Sequence, residues 1–381
     1  MTAVRFGHGL VVGKFYPPHR GHLFLIESAA RSCGSVTVLV MAARCESVLL
    51  GDRITWLRGD LAALAGVTVT GVPCDLPVDF ADPAVWAAQL AVMRAALNRD
   101  RRPAVDAVFT SEDYGAELAR RLGARHVCVD PGRLAAPVSA SMIRADLAGR
   151  WDQLTPAARA GLAVRVVVVG AESTGTTTIA RLLARHYRAK GGTWARTRCV
   201  PEAGRAYTLV KWRQARAAAA AAGRPEPSLA SLTWSAADFD LIATWQSRRE
   251  DRAAAAGSPL LVCDTDAFAT SVWERRYLGD RAARELQPWA AGLLPAHDVY
   301  LLTSHEGVPW LDDGLREGDL AVRERMTAWF AAALTAAGHS WALLTGDLGH
   351  RLALAVSVTD TALRHRLCFT PAITDLPVVA R

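Results

Sequence analysis

His19 and His22 lie three residues apart in the segment Gly13-Lys14-Phe15-Tyr16-Pro17-Pro18-His19-Arg20-Gly21-His22, which joins an apolar run ending at Gly13 to a helical pattern. Such a strand-to-helix turn presents free backbone N–H groups, and the helix dipole favours an anion there. The spacing lets both imidazoles face one phosphate, and Gly21 leaves the backbone open to close approach. Two donors on one phosphate can stabilise charge that develops during displacement. Further on, Val138-Ser139-Ala140-Ser141-Met142-Ile143-Arg144 offers two hydroxyls able to cap a helix and donate to phosphate oxygens, with Arg144 three residues beyond Ser141. Each feature alone has a plainer alternative: a packed histidine, or an ordinary N-cap beside a surface arginine.

A second constellation follows the run Val166 to Val169. Gly170-Ala171-Glu172-Ser173-Thr174-Gly175-Thr176-Thr177-Thr178 has the strand, the GxxxxG spacing and the following helix of a Walker A phosphate loop. Its lysine position holds Thr176. Backbone amides from Gly170 to Gly175 can still cradle phosphates and Thr177 can still ligand Mg²⁺, but the ammonium that reaches the outer phosphates is gone. Leu260 to Asp264 is an apolar strand ending in carboxylates, so Asp264 and Asp266 are candidates for Mg²⁺ binding, with capping as the alternative.

Alternating apolar runs and helical patterns must position these groups. In the first half, strands are expected at Gly9–Gly13, Ser35–Ala42, Val67–Val72, Ala104–Thr110 and His126–Val129, with helices between them in doubly wound order. In the second, strands are expected at Val164–Gly170, Cys199–Glu202, Leu260–Asp264, Val299–Thr303 and Trp341–Thr345. Residues 150–163 show no strong periodicity and read as a connector. The expected division is therefore an α/β domain over 1–160 and a second α/β domain over 161–381.

A chain of 381 residues with 51% hydrophobic and 21% charged residues falls in the folded class and outside the disordered one. The formal charge of +7 suits phosphorylated substrates but does not by itself separate them from nucleic acid. The seven cysteines form no CxxC pair, which argues against a disulfide framework or a zinc site and for a reducing compartment. Neither a leader segment nor a membrane-length apolar run is evident, so a cytoplasmic protein without a membrane partner is expected.

The spacing GxFxPxHxGH resembles the signature of the nucleotidyltransferase superfamily, which transfers an adenylyl or cytidylyl group, and Val138 to Arg144 resembles its second motif. The resemblance implies a Rossmann-like HxGH fold, ATP bound through Gly13, Phe15, Gly21, Ser139 and Ser141, and direct attack by a substrate phosphate on the α-phosphate of ATP. Lys14, His19, His22 and Arg144 would then stabilise transition-state charge. The superfamily includes several acceptors. Within it, the first motif together with Asp52-Arg53-Ile54-Thr55-Trp56-Leu57 looks most like the nicotinamide-mononucleotide adenylyltransferase domain of NadR-type proteins. Arg53 and Trp56 become candidate substrate contacts, Trp56 by stacking on a pyridinium ring or, as readily, as an ordinary core tryptophan.

The second half resembles the ribosylnicotinamide kinase domain of the same family through Pro201-Glu202-Ala203-Gly204-Arg205, Asp238-Phe239 with Gln246, and Pro309-Trp310 with Asp312, Asp313, Gly314 and Arg316. That implies a P-loop kinase-like fold, Glu202 or Asp264 as proton acceptor, Arg316 over the γ-phosphate and Trp310 near the substrate. The joint expectation is a bifunctional enzyme of NAD salvage that uses ATP and Mg²⁺, takes nicotinamide mononucleotide and nicotinamide riboside, and forms a homo-oligomer or none. A monofunctional transferase with a nucleotide-sensing P-loop domain is the alternative. Family members can carry an N-terminal helix-turn-helix; here the first strand begins within about ten residues of Met1, so no nucleic-acid partner is expected.

Overall fold

Strand β1 (Phe6–Gly13) is buried from His8 to Val12, and its alternate side chains feed two different cores. Val11 packs with Ile26, Val38, Val40 and Leu57 on one face, whereas Leu10 and Val12 pack with Leu39, Met41, Trp86, Leu90 and Met93 on the other. A strand covered on both faces belongs at the centre of a parallel sheet whose crossover helices lie on either side.

The computed structural model describes residues 6–76, 78–79, 81–279, 297–309 and 320–375. After β1 come α1 (Arg20–Ser32), β2 (Cys33–Ala42), α2 (Leu50–Asp60), β3 (Val67–Pro73), α3 (Pro83–Arg99), β4 (Ala107–Thr110), α4 (Tyr114–Leu122), β5 (Arg125–Cys128), α5 (Ala140–Ala145) and α6 (Pro156–Leu162). The strands pair in parallel in the order β3-β2-β1-β4-β5. The order reverses beside β1, and ligands of such sheets bind at that point, beyond the carboxyl ends of the strands. The turn carrying His19 and His22 lies there.

The second sheet is built from β6 (Val164–Gly170), followed by α7 (Thr176–Arg188), β7 (Arg198–Val200), α8 (Ala203–Ala221), α9 (Ala236–Ala256), β8 (Leu260–Asp264), α10 (Ala267–Leu278), β9 (Val299–Thr303), α11 (Leu320–Ala336), β10 (Trp341–Leu344) and α12 (Leu348–Arg366). Its order is β10-β9-β6-β8-β7, again parallel, and every residue of β6 and β8 is buried. The chain is thus α/β with two parallel sheets. Among the described residues no helix is long and apolar enough to cross a membrane.

Two features differ from the sequence expectation. The chain divides into one unit of Met1–Gly161 with Leu367–Arg381 and another of Leu162–Arg366, so the terminal segment groups with the first unit rather than the second. Residues 150–163 are also not a loose connector. Trp151 and Ala158 are wholly buried and Leu154 nearly so, Thr155 donates its N–H to Pro18, and Asp60 accepts from the Ala157 N–H. The stretch has too few turns to show a period, yet it covers the segment that precedes His19. Trp151→Ala is expected to cost about 3–5 kcal/mol, as deletion of a buried indole does; urea unfolding of the full chain checks this, and a loose linker would leave the midpoint unchanged.

Candidate active sites

The chain leaves β1 through Phe15, whose φ of 49° turns the backbone so that its buried ring lies 4.7 Å from that of His22. Phe15 therefore braces the histidine from the core. The His19 and His22 rings stack with centroids 3.6 Å apart, and the His19 N–H donates to His22 Nδ1 at 3.2 Å. His22 Nδ1 is thereby an acceptor, which leaves its proton on Nε2. Burial and the Arg133 guanidinium lower the His19 pKa to about 3; burial, then His19 and Arg133, hold His22 well below the ordinary histidine value. Both rings are neutral near pH 7. The buried His19 Nδ1 makes no close hydrogen bond, although the His19 side chain faces the His22 backbone N–H in a capping-box arrangement at the start of α1. A Cβ on Gly21 would come within 3.1 Å of the His19 ring, so glycine is what allows the ring this position.

Ser139 caps α5 by accepting from the Met142 N–H at 3.2 Å, and its hydroxyl lies 3.0 Å from that of Ser141. Arg144, one turn on, donates from Nη1 to the Tyr16 carbonyl at 2.8 Å and from Nη2 to Asp375 at 2.7 Å. The second motif is thus tied by a hydrogen bond to the turn of the first. Arg133, which bears on both histidines and donates to the Val138 carbonyl, carried no spacing signal in the sequence.

Lys14 is held by Glu46, whose Oε1 lies 3.1 Å from Nζ and whose Oε2 accepts from Arg53 at 2.7 Å. Arg53 is wholly buried. It donates to the carbonyls of Lys14 and Val48 and lies 4.4 Å from the Tyr16 ring centroid, so it fixes the Lys14 turn and is not a substrate contact as expected. Trp56 is likewise corrected. It sits on α2 against Gly161, where an added Cβ would strike its indole nitrogen, and it does not line the cavity at the strand ends. That cavity, about 160 Å³ and almost entirely apolar, is bounded by Gly13, Lys14, Met41, Trp86, Gln89 and Tyr114. Trp86 and Tyr114 had no motif to mark them, since helix-borne aromatics are usually core.

In the second unit Gly175, with φ of 91°, ends the phosphate loop and caps α7, while Ser173 turns at φ 55°. Two buried arginines grip this loop from behind: Arg323 donates to the Ser173 carbonyl and Arg351 to that of Thr174. Thr174 is bonded to Thr303 at 2.6 Å, and a Cβ on Gly170 would strike that same Thr303 hydroxyl. Thr177 donates to Asp264 at 2.6 Å. Burial raises the Asp264 pKa, against hydrogen bonds from Thr177 and Thr176 and the charges of Arg181 and Arg205. Thr178 follows on the exposed side of α7.

Asp266 borders the same cavity as Asp264 but is committed within the fold. Its Oδ1 caps α10 by accepting from the Ala269 N–H, and Oδ2 accepts from Tyr300 at 2.7 Å and lies 3.2 Å from His297, so its carboxylate is spent on structure. Glu250, Cys263 and His297 bring ligand atoms within 4.8 Å of one another nearby. Glu250 there accepts from Gln246 and pairs with His297; burial opposes charge on His297, but Asp266 and Glu250 raise its pKa, which marks a buried ion network.

A cavity of about 240 Å³ joins the phosphate loop, Glu202, Arg205 and Asp264 to a wall of Trp234, Phe239, Trp273 and Tyr277. Trp234 lies 5.6 Å from Phe239 and 5.3 Å from Tyr277, ring centroid to centroid. Gln246 binds both carboxylate-bearing segments, accepting from the Ala203 N–H and donating to the Thr265 carbonyl. Asp238 sits behind the wall, held by Tyr207 and Lys211. Trp310, Asp312, Asp313, Gly314 and Arg316 lie outside the described residues.

A family model described as an AAA domain matches residues 165–351. The trifunctional NAD biosynthesis/regulator proteins NadR of Escherichia coli (strain K12) and Salmonella typhimurium (strain LT2) are each 24% identical to this chain over 324 residues, which span 81% of it and 71% of each relative. Two crystal structures share the fold at 20% identity, covering 94% of this chain and 96% of theirs. One is of NadR protein in complex with NR (TM-score 0.58), the other of NadR protein in complex with NAD and AMP-PNP (TM-score 0.61). In sequence over most of its length, and in fold over nearly all of it, this chain is similar to the NadR proteins.

Proposed function

We propose that the chain is an ATP-using enzyme of NAD biosynthesis, in which the first unit adenylylates nicotinamide mononucleotide and the second phosphorylates nicotinamide riboside. The observation that carries the first assignment is the stacked His19–His22 pair at a helix N-terminus, with Arg144 tied to the same turn. Neutral imidazole N–H groups and the α1 amides can donate to the α-phosphate as charge builds on it, and the guanidinium adds a cation. No base is required, because the attacking phosphate of the mononucleotide is already an anion. The apolar cavity beside Trp86 and Tyr114 suits the nicotinamide ring of the acceptor.

For the second unit, the aromatic wall facing a phosphate loop supports a substrate that is both a flat cation and a hydroxyl donor; a pyridinium riboside is such a substrate. The Thr177 hydroxyl and Asp264 carboxylate, 2.6 Å apart, are hard oxygen donors that fit Mg²⁺, which when bound would neutralise phosphate charge. With Asp264 engaged on the loop side, we assign acceptance of the ribose hydroxyl proton to Glu202. Thr176 in the lysine position favours one other reading, a second unit that binds nucleotide without turning it over.

The deciding experiment feeds purified full-length protein with Mg-ATP and either the mononucleotide or the riboside, and follows NAD, mononucleotide, ADP and pyrophosphate by chromatography. NAD with pyrophosphate from the first feed supports the transferase; mononucleotide with ADP from the second supports the kinase, and its absence leaves the sensor. His19→Ala is expected to lower the kcat of NAD formation by about 10²–10³-fold and leave riboside phosphorylation intact. Within the kinase, Glu202→Gln should reduce kcat by about 10²–10⁴-fold at an unchanged Mg²⁺ requirement, whereas Asp264→Asn should raise that requirement. Thr176→Lys should lower the KM for ATP in riboside phosphorylation, and an unaltered or higher KM would show that the loop no longer places an ammonium on the phosphates.

A further inference from the structure

The terminal segment of the chain is laid against the first site. Thr370 is its anchor. The Thr370 hydroxyl accepts from the Ser47 N–H and donates to the Cys45 carbonyl, both at 2.8 Å, and its carbonyl accepts from the Tyr16 hydroxyl at 2.9 Å. Phe369 meets the Tyr16 ring edge-on at 5.2 Å, and the Ile373 N–H reaches Glu46, the carboxylate that holds Lys14. A short turn, closed by the Ala372 N–H on Asp375, then delivers the Asp375 carboxylate to Arg144.

Arg144 has two hydrogen-bonded partners. Nη1 holds the Tyr16 carbonyl, and Nη2 holds Asp375 at 2.7 Å. A guanidinium recognises phosphate through a planar fork of N–H groups, and here one arm already carries a carboxylate oxygen, an acceptor of the kind a phosphate would offer. The Arg144 side chain is 12% exposed and that of Asp375 44%, so water reaches the pair from the carboxylate side, where a competing anion would arrive. Because Thr370 keeps the segment in place, a displaced carboxylate stays close and competes at high effective concentration.

We propose that Asp375 is a built-in competitor for the triphosphate at Arg144, and so sets the affinity of the first site for ATP. The inference rests on the adenylyl-transfer reading of that site. On this account the enzyme holds its anion subsite closed with its own carboxylate, and a nucleotide must exchange one charged partner of Arg144 for another. Burial opposes ionisation of Asp375, but the hydrogen bond and charge of Arg144 outweigh it and keep the carboxyl below the ordinary carboxylate range, so the competitor is charged at neutral pH.

The test measures initial rates of NAD formation against ATP concentration for the full-length wild type, Asp375→Asn and Asp375→Glu. Asn preserves shape and removes the charge. The expected result is a KM for ATP about three- to tenfold lower in Asp375→Asn at unchanged kcat, with Asp375→Glu within about twofold of wild type. An unchanged or raised KM in Asp375→Asn overturns the inference. A second readout does not need turnover: the midpoint of thermal stabilisation by magnesium tripolyphosphate should fall at lower concentration in Asp375→Asn than in wild type, any binding at the second unit being common to both. If the wild type makes no NAD, the adenylyl-transfer reading fails, and the tripolyphosphate titration still decides whether Asp375 screens the anion subsite; equal midpoints refute it.

Discussion

A parallel strand that is covered on both faces can leave its sheet only at the carboxyl end, and the helix that follows must begin there with unsatisfied backbone N–H groups. That constraint acts twice in this chain, at Gly13 after β1 and at Gly170 after β6, and both candidate sites are consequences of it. An anion is the natural partner for such a terminus. What differs between the two turns is how the side chains around them are spent.

In the first unit the turn is stiffened by buried charge. Glu46 holds Lys14 through one oxygen and Arg53 through the other, and Arg53 returns to the Lys14 carbonyl and the Tyr16 ring. Burial raises the Glu46 pKa, but the paired cations overcome it and the carboxyl is held below its ordinary value, so the network is ionised. Removing one member of such a network leaves an uncompensated buried charge. The lysine is thereby positioned by a buried framework, and the same Glu46 also receives the terminal segment through Ile373.

The second unit stiffens its loop from outside. Arg323 and Arg351 hold loop carbonyls, and Asp266 joins Tyr300 and His297 so that the strand end bearing Asp264 is fixed. These groups order the loop without occupying the place of the missing lysine. The aromatic wall of Trp234, Phe239 and Tyr277 comes from two segments of the chain, the start of α9 and the end of α10, and only their convergence gives it a chemical meaning.

The strand runs, the alternation that makes an α/β chain, the two strand-to-helix turns and the Ser139–Arg144 cap were all legible in the sequence, because each depends on residues adjacent or one helical turn apart. Local spacing determines backbone conformation and the direction of nearby side chains. It does not determine which long side chain a buried carboxylate will claim. Arg53 and Asp266 had the residue type of ligands and were taken by Glu46 and by Tyr300 with His297, while Trp56 was taken by Gly161. Trp86 and Tyr114 gained a cavity that no local pattern announced. The return of residues 367–375 to the first unit joins positions more than three hundred residues apart, as in Tyr16 with Thr370, and its Asp375 reaches Arg144. Sequence determined where phosphates can be met, since that is a property of the turn; tertiary structure decided which charges are free to meet them, since buried charges must be paired with whatever the fold brings beside them.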